Sequence, residues 1–100
     1  MRNKVSIIDY GMGNINSVFS AVKFLGYDVI ITNDRTEILS SNKIILPGVG
    51  EFGSAVKNLE KLNLFGLIKD IYKSKEIKIL GICLGMQLLA ESSEEGGFHK

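Results

Sequence analysis

Four short apolar runs rich in Ile and Val, residues 5–8, 29–31, 43–46 and 77–82, recur along the sequence, and none of them alternates apolar with polar positions. A strand with one face in water alternates; a strand buried on both faces does not, and such strands belong to parallel sheets covered by helices above and below. The intervals between the runs carry helical periods. Ile15, Val18, Phe19, Val22 and Leu25 recur on one helical face, and Gly26 follows where a helix C-cap glycine belongs. Asp34, with Glu37 three residues on, resembles a capping-box start. Val56, Leu59 and Leu62, then Leu64, Leu67, Ile68 and Ile71, predict one broken helix or two short ones, and Met86, Leu88 and Leu89 open a last helix. The resulting order, βαβαβαβα, predicts a doubly wound α/β fold with a mainly parallel sheet and right-handed crossovers.

With 100 residues the chain is one domain at most, able to bury roughly two thirds of its unfolded surface. A net charge of +1, with both signs in balance, gives no electrostatic footprint for nucleic acid or an anionic membrane. The N-terminal apolar run ends at Asp9, too soon for a signal peptide, and no run approaches the ~20 residues of a membrane span. One cysteine and one histidine make neither an internal disulfide nor a structural zinc site. A cytoplasmic location is the expectation. A fourth strand at the end of the run leaves a free sheet edge, and residues 91–97 read as a helix exit close to the last residue. The sequence therefore predicts that residues 1–100 are an incomplete chain.

The one cysteine, Cys83, lies between two glycines in Gly81-Ile82-Cys83-Leu84-Gly85 at the end of the fourth run. A lone cysteine in an Ile/Leu run is often a small buried hydrophobe. The flanking glycines favour another reading, because a strand that turns abruptly into a helix around one exposed nucleophile needs small neighbours two residues before and after it. At a helix N-terminus the dipole and free N–H groups favour thiolate and lower the pKa from ~8.5. The N–H of Leu84 is then placed to bind an oxyanion.

Pro47-Gly48-Val49-Gly50 follows the third run and emerges at the same carboxyl edge of a parallel sheet, where α/β ligand sites form. Alone it reads as a plain strand-to-helix turn, although its glycines would let the backbone approach a ligand and the N–H of Val49 or Gly50 could be a second oxyanion donor. Gly11-Met12-Gly13-Asn14, with Asp34 at about the distance of a ribose contact, hints at dinucleotide binding, but Asn16 stands where the third glycine of that motif belongs. Gln87 and Glu91 share one side of the last helix, Glu94 and Glu95 follow at its end, where acidic groups oppose the dipole, and His99 lies in a polar tail.

Taken together, "IIDYGMGNINSV", "ILPGVGEFGSA" and "LGICLGMQLLAESSEEG" resemble the class I glutamine amidotransferases, and among them the glutaminase subunits of imidazole glycerol phosphate synthase. The resemblance covers nearly the whole chain, whereas full-length members are about twice as long, so it implies that residues 1–100 are the N-terminal half of a single glutamine amidotransferase domain. It implies a flavodoxin-like, three-layer α/β fold of the class I amidotransferase type, present here as a truncated part. By the same resemblance Cys83 is the nucleophile that attacks the side-chain amide of glutamine, giving a glutamyl thioester and ammonia. Leu84 and Val49 supply the oxyanion-hole N–H groups. Gln87 and Glu95 hold the glutamine, Glu95 at its α-amino group, and Gly48 and Gly50 shape the pocket wall. The implied partner is a (β/α)₈ cyclase subunit that uses the ammonia to build imidazole glycerol phosphate in histidine biosynthesis; no metal, cofactor, nucleic acid or membrane is implied.

The departure from the family pattern is the general base, a histidine followed two residues on by glutamate. No His-x-Glu occurs in residues 1–100, and loss of a general base removes typically about 10²–10⁴-fold in rate. The resemblance therefore implies that these residues alone hold the nucleophile without turning over. Two rivals remain at this level: a paralogous glutaminase feeding a sugar amidotransferase in surface-polysaccharide pathways, and a non-catalytic flavodoxin-like domain holding a mononucleotide at the first loop.

Overall fold

Residues 4–11, 15–48, 52–74 and 76–81 are described in the computed structural model. In chain order they form β1 (Lys4–Ile8), α1 (Ile15–Phe24), β2 (Asp28–Thr32), α2 (Arg35–Leu39), β3 (Lys43–Leu46), α3 (Phe52–Lys61), α4 (Phe65–Ser74) and β4 (Lys78–Gly81). All four strands pair in parallel, in the order β2-β1-β3-β4. The final helix expected from Met86 onward lies outside the described residues. Among these residues no helix is long and apolar enough to cross a membrane.

The strand order explains the layers. The chain steps from β1 to β2 in one direction and from β2 through β3 to β4 in the other, so right-handed crossovers must put α1 on one face and the later helices on the opposite one. The core divides accordingly. Val5, Ile7 and Ile45 pack with Val18, Phe19 and Val22 of α1. Ile8, Ile44 and Leu46 pack on the other face with Ile38, Leu59, Leu64 and Ile68. Three layers result, and the non-alternating runs are what a sheet covered on both sides requires.

Helix ends follow local chemistry. Gly26 takes φ +94° after α1 and donates its N–H to the Lys23 carbonyl at 3.0 Å, which closes the helix as expected. The long apolar stretch after β3 is two helices rather than one, separated at Asn63, whose φ is +59°. Leu62, counted with the helical face in the sequence, lies in that turn and is exposed. At α2 the Asp34 side chain accepts the Glu37 N–H at 3.0 Å. The reciprocal half of the capping box is rerouted: the Asp34 N–H goes to Thr32 Oγ1 at 3.0 Å, and that hydroxyl donates to the Glu37 carboxylate.

One polar pair lies inside the core. Ser6 Oγ, in the middle of β1, contacts Ser41 Oγ, and both residues are buried. Because Ser41 Oγ donates its proton to the Glu37 carbonyl at 3.0 Å, Ser6 is the donor between the two hydroxyls, and both groups are satisfied.

Candidate active site

A sheet of order 2-1-3-4 reverses direction between β1 and β3, and α/β sheets bind ligands in the crevice above the carboxyl ends of the strands flanking such a reversal. Here those ends are Ile8, which leads into Asp9-Tyr10-Gly11, and Leu46, which leads into Pro47-Gly48. β4 lies beside β3 in the register Leu46↔Gly81. The exits of β1, β3 and β4 therefore form one contiguous edge, with Cys83 two residues along the chain from Gly81.

A tyrosine bridges the crevice. Tyr10 is only 2% exposed, and its hydroxyl donates to the Pro47 carbonyl, joining the exit of β1 to the exit of β3. Its own carbonyl accepts from the Asn58 side chain of α3 at 3.0 Å. The adjoining Gly11 has φ +83°, and a Cβ there would stand 3.2 Å from Asn58 Nδ2. Burial pushes the Tyr10 phenol up to about 12, so it stays a proton donor across the physiological range. Asp9 continues the edge toward β2: its N–H donates to the Thr32 carbonyl at 2.9 Å, and its carbonyl accepts from Asn33 Nδ2 at 3.3 Å.

Of the site residues expected from sequence, Gly48 is described, buried at the exit of β3. Val49, Gly50, Cys83, Leu84, Gln87 and Glu95 lie outside the described residues. The carboxylate of Asp34, which the dinucleotide reading needed for a ribose, is committed to capping α2. Tyr10 and Asn58 were not singled out in the sequence. The one local signal was an aromatic residue with a polar tip placed directly after a buried strand, where burial obliges the hydroxyl to find an acceptor.

An apolar groove of about 330 Å³ runs along the α1 face, lined by residues such as Val22, Leu25, Tyr27 and Leu80, with Lys43 and Lys78 at its margin. Those two lysines begin β3 and β4, so the groove opens toward the amino-terminal end of the sheet, away from the edge just described. Leu80 is 57% exposed there, on a strand that pairs on one side only among the described residues.

Comparison with known proteins bears on this edge. Residues 6–96 match the model of the family described as glutamine amidotransferase class-I. The chain is 51% identical over 98 residues to the imidazole glycerol phosphate synthase subunit HisH 1 of Parasynechococcus marenigrum, covering 98% of this chain and 47% of that protein. It is 52% identical over 91 residues to the imidazole glycerol phosphate synthase subunit HisH of Bacillus anthracis, covering 91% of this chain and 43% of that one. A crystal structure of a glutamine amidotransferase superposes with a TM-score of 0.69 at 18% identity, over 81% of this chain and 42% of the other. The chain thus spans about half the length of the curated relatives it matches.

Proposed function

This chain belongs to the class I glutamine amidotransferase family, and from that premise we propose that the protein hydrolyses glutamine to glutamate and ammonia, with Cys83 as nucleophile. The observation that carries the reading is the register Leu46↔Gly81. It starts the Pro47-Gly48 loop and the segment leading to Cys83 from neighbouring points on one sheet edge, so a nucleophile from one and amide donors from the other can converge on the same carbonyl.

In the proposed reaction the Cys83 thiolate adds to the side-chain amide carbon of glutamine, and the carbonyl oxygen becomes an oxyanion held by the N–H groups of Leu84 and Val49. Collapse expels ammonia, which requires a proton from a general acid. Water then adds to the thioester, and collapse of the second oxyanion returns the thiolate and releases glutamate. The proton carrier belongs to a His-x-Glu pair, which residues 1–100 do not contain. The proposal accordingly treats these residues as the N-terminal half of one domain whose other half supplies the base. Gln87 and Glu95 hold the substrate, and Gly48 and Gly50 keep the wall free of side chains.

The similarity to HisH proteins from two organisms supports a finer reading, in which a cyclase subunit consumes the ammonia to make imidazole glycerol phosphate in the cytoplasm. Free ammonia is mostly protonated in water near neutral pH and is then not a nucleophile, so direct transfer to a docked (β/α)₈ partner has a chemical reason. The test uses the protein expressed from its complete reading frame. A thiol-reactive glutamine analogue should label Cys83 alone, and Cys83→Ser should abolish both labelling and glutaminase activity; labelling that survives the substitution removes the reading. Rescue of a histidine auxotroph by the wild-type gene, but not by Cys83→Ser, tests the cyclase partner.

A further inference from the structure

The exit of β3 and helix α3, which flank one loop, are both tied to one residue. The Pro47 carbonyl, just past β3, accepts from the Tyr10 hydroxyl; Asn58, well inside α3, donates from its side chain to the Tyr10 carbonyl at 3.0 Å. Tyr10 itself cannot shift freely, since it is buried in the core cluster that includes Leu46, Ala55 and Leu59. The turn beside it packs closely on the same Asn58 side chain, since a Cβ on Gly11 would stand 3.2 Å from Asn58 Nδ2. Two glycines, Gly48 and Gly50, follow Pro47 in the sequence, and glycine is the residue whose backbone admits the most orientations.

We propose that Tyr10 and Asn58 are positioning residues for glutamine hydrolysis, a brace that ties the exit of β3 to helix α3 and so anchors the two elements between which the loop bearing Gly48, Val49 and Gly50 runs. This rests on the glutaminase reading above. A donor amide stabilises an oxyanion only if it is oriented before charge develops, since reorientation during the reaction forfeits the advantage. The brace touches neither glutamine nor Cys83. It acts on transition-state binding while leaving ground-state binding and the nucleophile alone.

The experiment compares wild type, Tyr10→Phe, Asn58→Ala and the double variant, each expressed from the complete reading frame. Each single variant should lower kcat about tenfold, a fraction of the roughly 10²–10³-fold lost when an oxyanion donor is removed outright, with KM for glutamine within about twofold. Affinity for the aldehyde analogue of glutamine, whose hemithioacetal oxygen occupies the oxyanion position, should fall by the same factor as kcat. The rate of Cys83 alkylation by iodoacetamide should not change, and the double variant should resemble either single one, because the two residues form one brace. Ile38→Val, a core change beneath α2, serves as the stability control and should leave kcat unaltered. If Tyr10→Phe does not fold, Asn58→Ala carries the test. Variants that melt earlier yet keep wild-type kcat and aldehyde affinity overturn the brace alone. A wild type without glutaminase activity, or a Cys83→Ser that retains it, overturns the glutaminase reading and the brace with it.

Discussion

Leu46 and Gly81 are register partners on adjacent parallel strands, and both are buried. The chain therefore leaves the sheet at two neighbouring points, with no side chain at position 81 to separate them. A glycine in a strand is entropically costly, and here it stands as the buried last residue of β4 directly beside Leu46 of β3. Gly81→Val should destabilise the fold by about 1–3 kcal/mol, the usual cost of forcing extra volume into a filled position. It should also suppress labelling of Cys83 by a glutamine analogue. Denaturant titration and mass spectrometry of the labelled protein measure the two effects.

Two turn glycines separate backbone strain from crowding. Gly11 and Gly26 both have positive φ, so alanine at either is strained, at about 1–2 kcal/mol. Only at Gly11 would the new Cβ also meet a neighbour, Asn58 Nδ2 at 3.2 Å; at Gly26 nothing lies within 4 Å. Gly11→Ala should therefore be the more destabilising of the pair, and it alone should lower glutaminase turnover by displacing Asn58. Chemical denaturation of both variants side by side, with activity assays, decides this.

The start of α2 depends on a hydroxyl outside the helix. Thr32 Oγ1 accepts the Asp34 N–H and donates to Glu37, while Asp34 accepts the Glu37 N–H. Removing the cap by Asp34→Ala should cost about 1 kcal/mol. Thr32→Val keeps the shape of this buried position but removes the partner of the Asp34 N–H and the Glu37 carboxylate, both on exposed residues that water can reach, and should cost about 0.5–1.5 kcal/mol. In a double-mutant cycle between positions 32 and 37 the coupling should exceed about 0.5 kcal/mol; strict additivity would mean that the relay contributes nothing.

Alkaline pH tests the burial of Tyr10. Its phenol is raised from 10.0 to about 12 by desolvation. Between those values the unfolded state releases the proton first, so rising pH favours unfolding. The contribution is complete below pH 10 and is lost as pH climbs through about 12. Tyr10→Phe should flatten this part of the stability curve relative to wild type. At neutral pH the same variant should cost about 1–2 kcal/mol, since the Pro47 carbonyl loses its donor. Equilibrium unfolding across pH 8 to about 12 compares the two proteins.

The layers, the order of elements and the helix ends at Gly26 and Asp34 were legible in the sequence because their causes are local. Burial on both faces writes itself as an unbroken apolar run; Gly26 and Asp34 sit where backbone geometry demands their chemistry. Where a position's role depended on its neighbours in space, the local pattern misled or fell silent. Leu62 repeats the period of Leu59, yet Leu59 is fully buried and Leu62 is 38% exposed, because the left-handed turn at Asn63 ends the helix there. Ser6, a polar residue inside the first run, is half of a satisfied buried pair with Ser41.

At the candidate site the division is sharper. A glycine-flanked cysteine after a strand carries its own rationale, so the proposal of Cys83 as nucleophile starts from the sequence, and the residue itself lies outside the described residues. Only the tertiary structure decided that β3 runs between β1 and β4, and that the Tyr10 hydroxyl reaches a carbonyl 37 positions away while its carbonyl is held from 48 positions away. Periodicity encodes which face of an element is apolar. It does not encode which strands become neighbours, and a hydrogen bond between distant segments exists only once strand order has brought donor and acceptor within about 3 Å of each other.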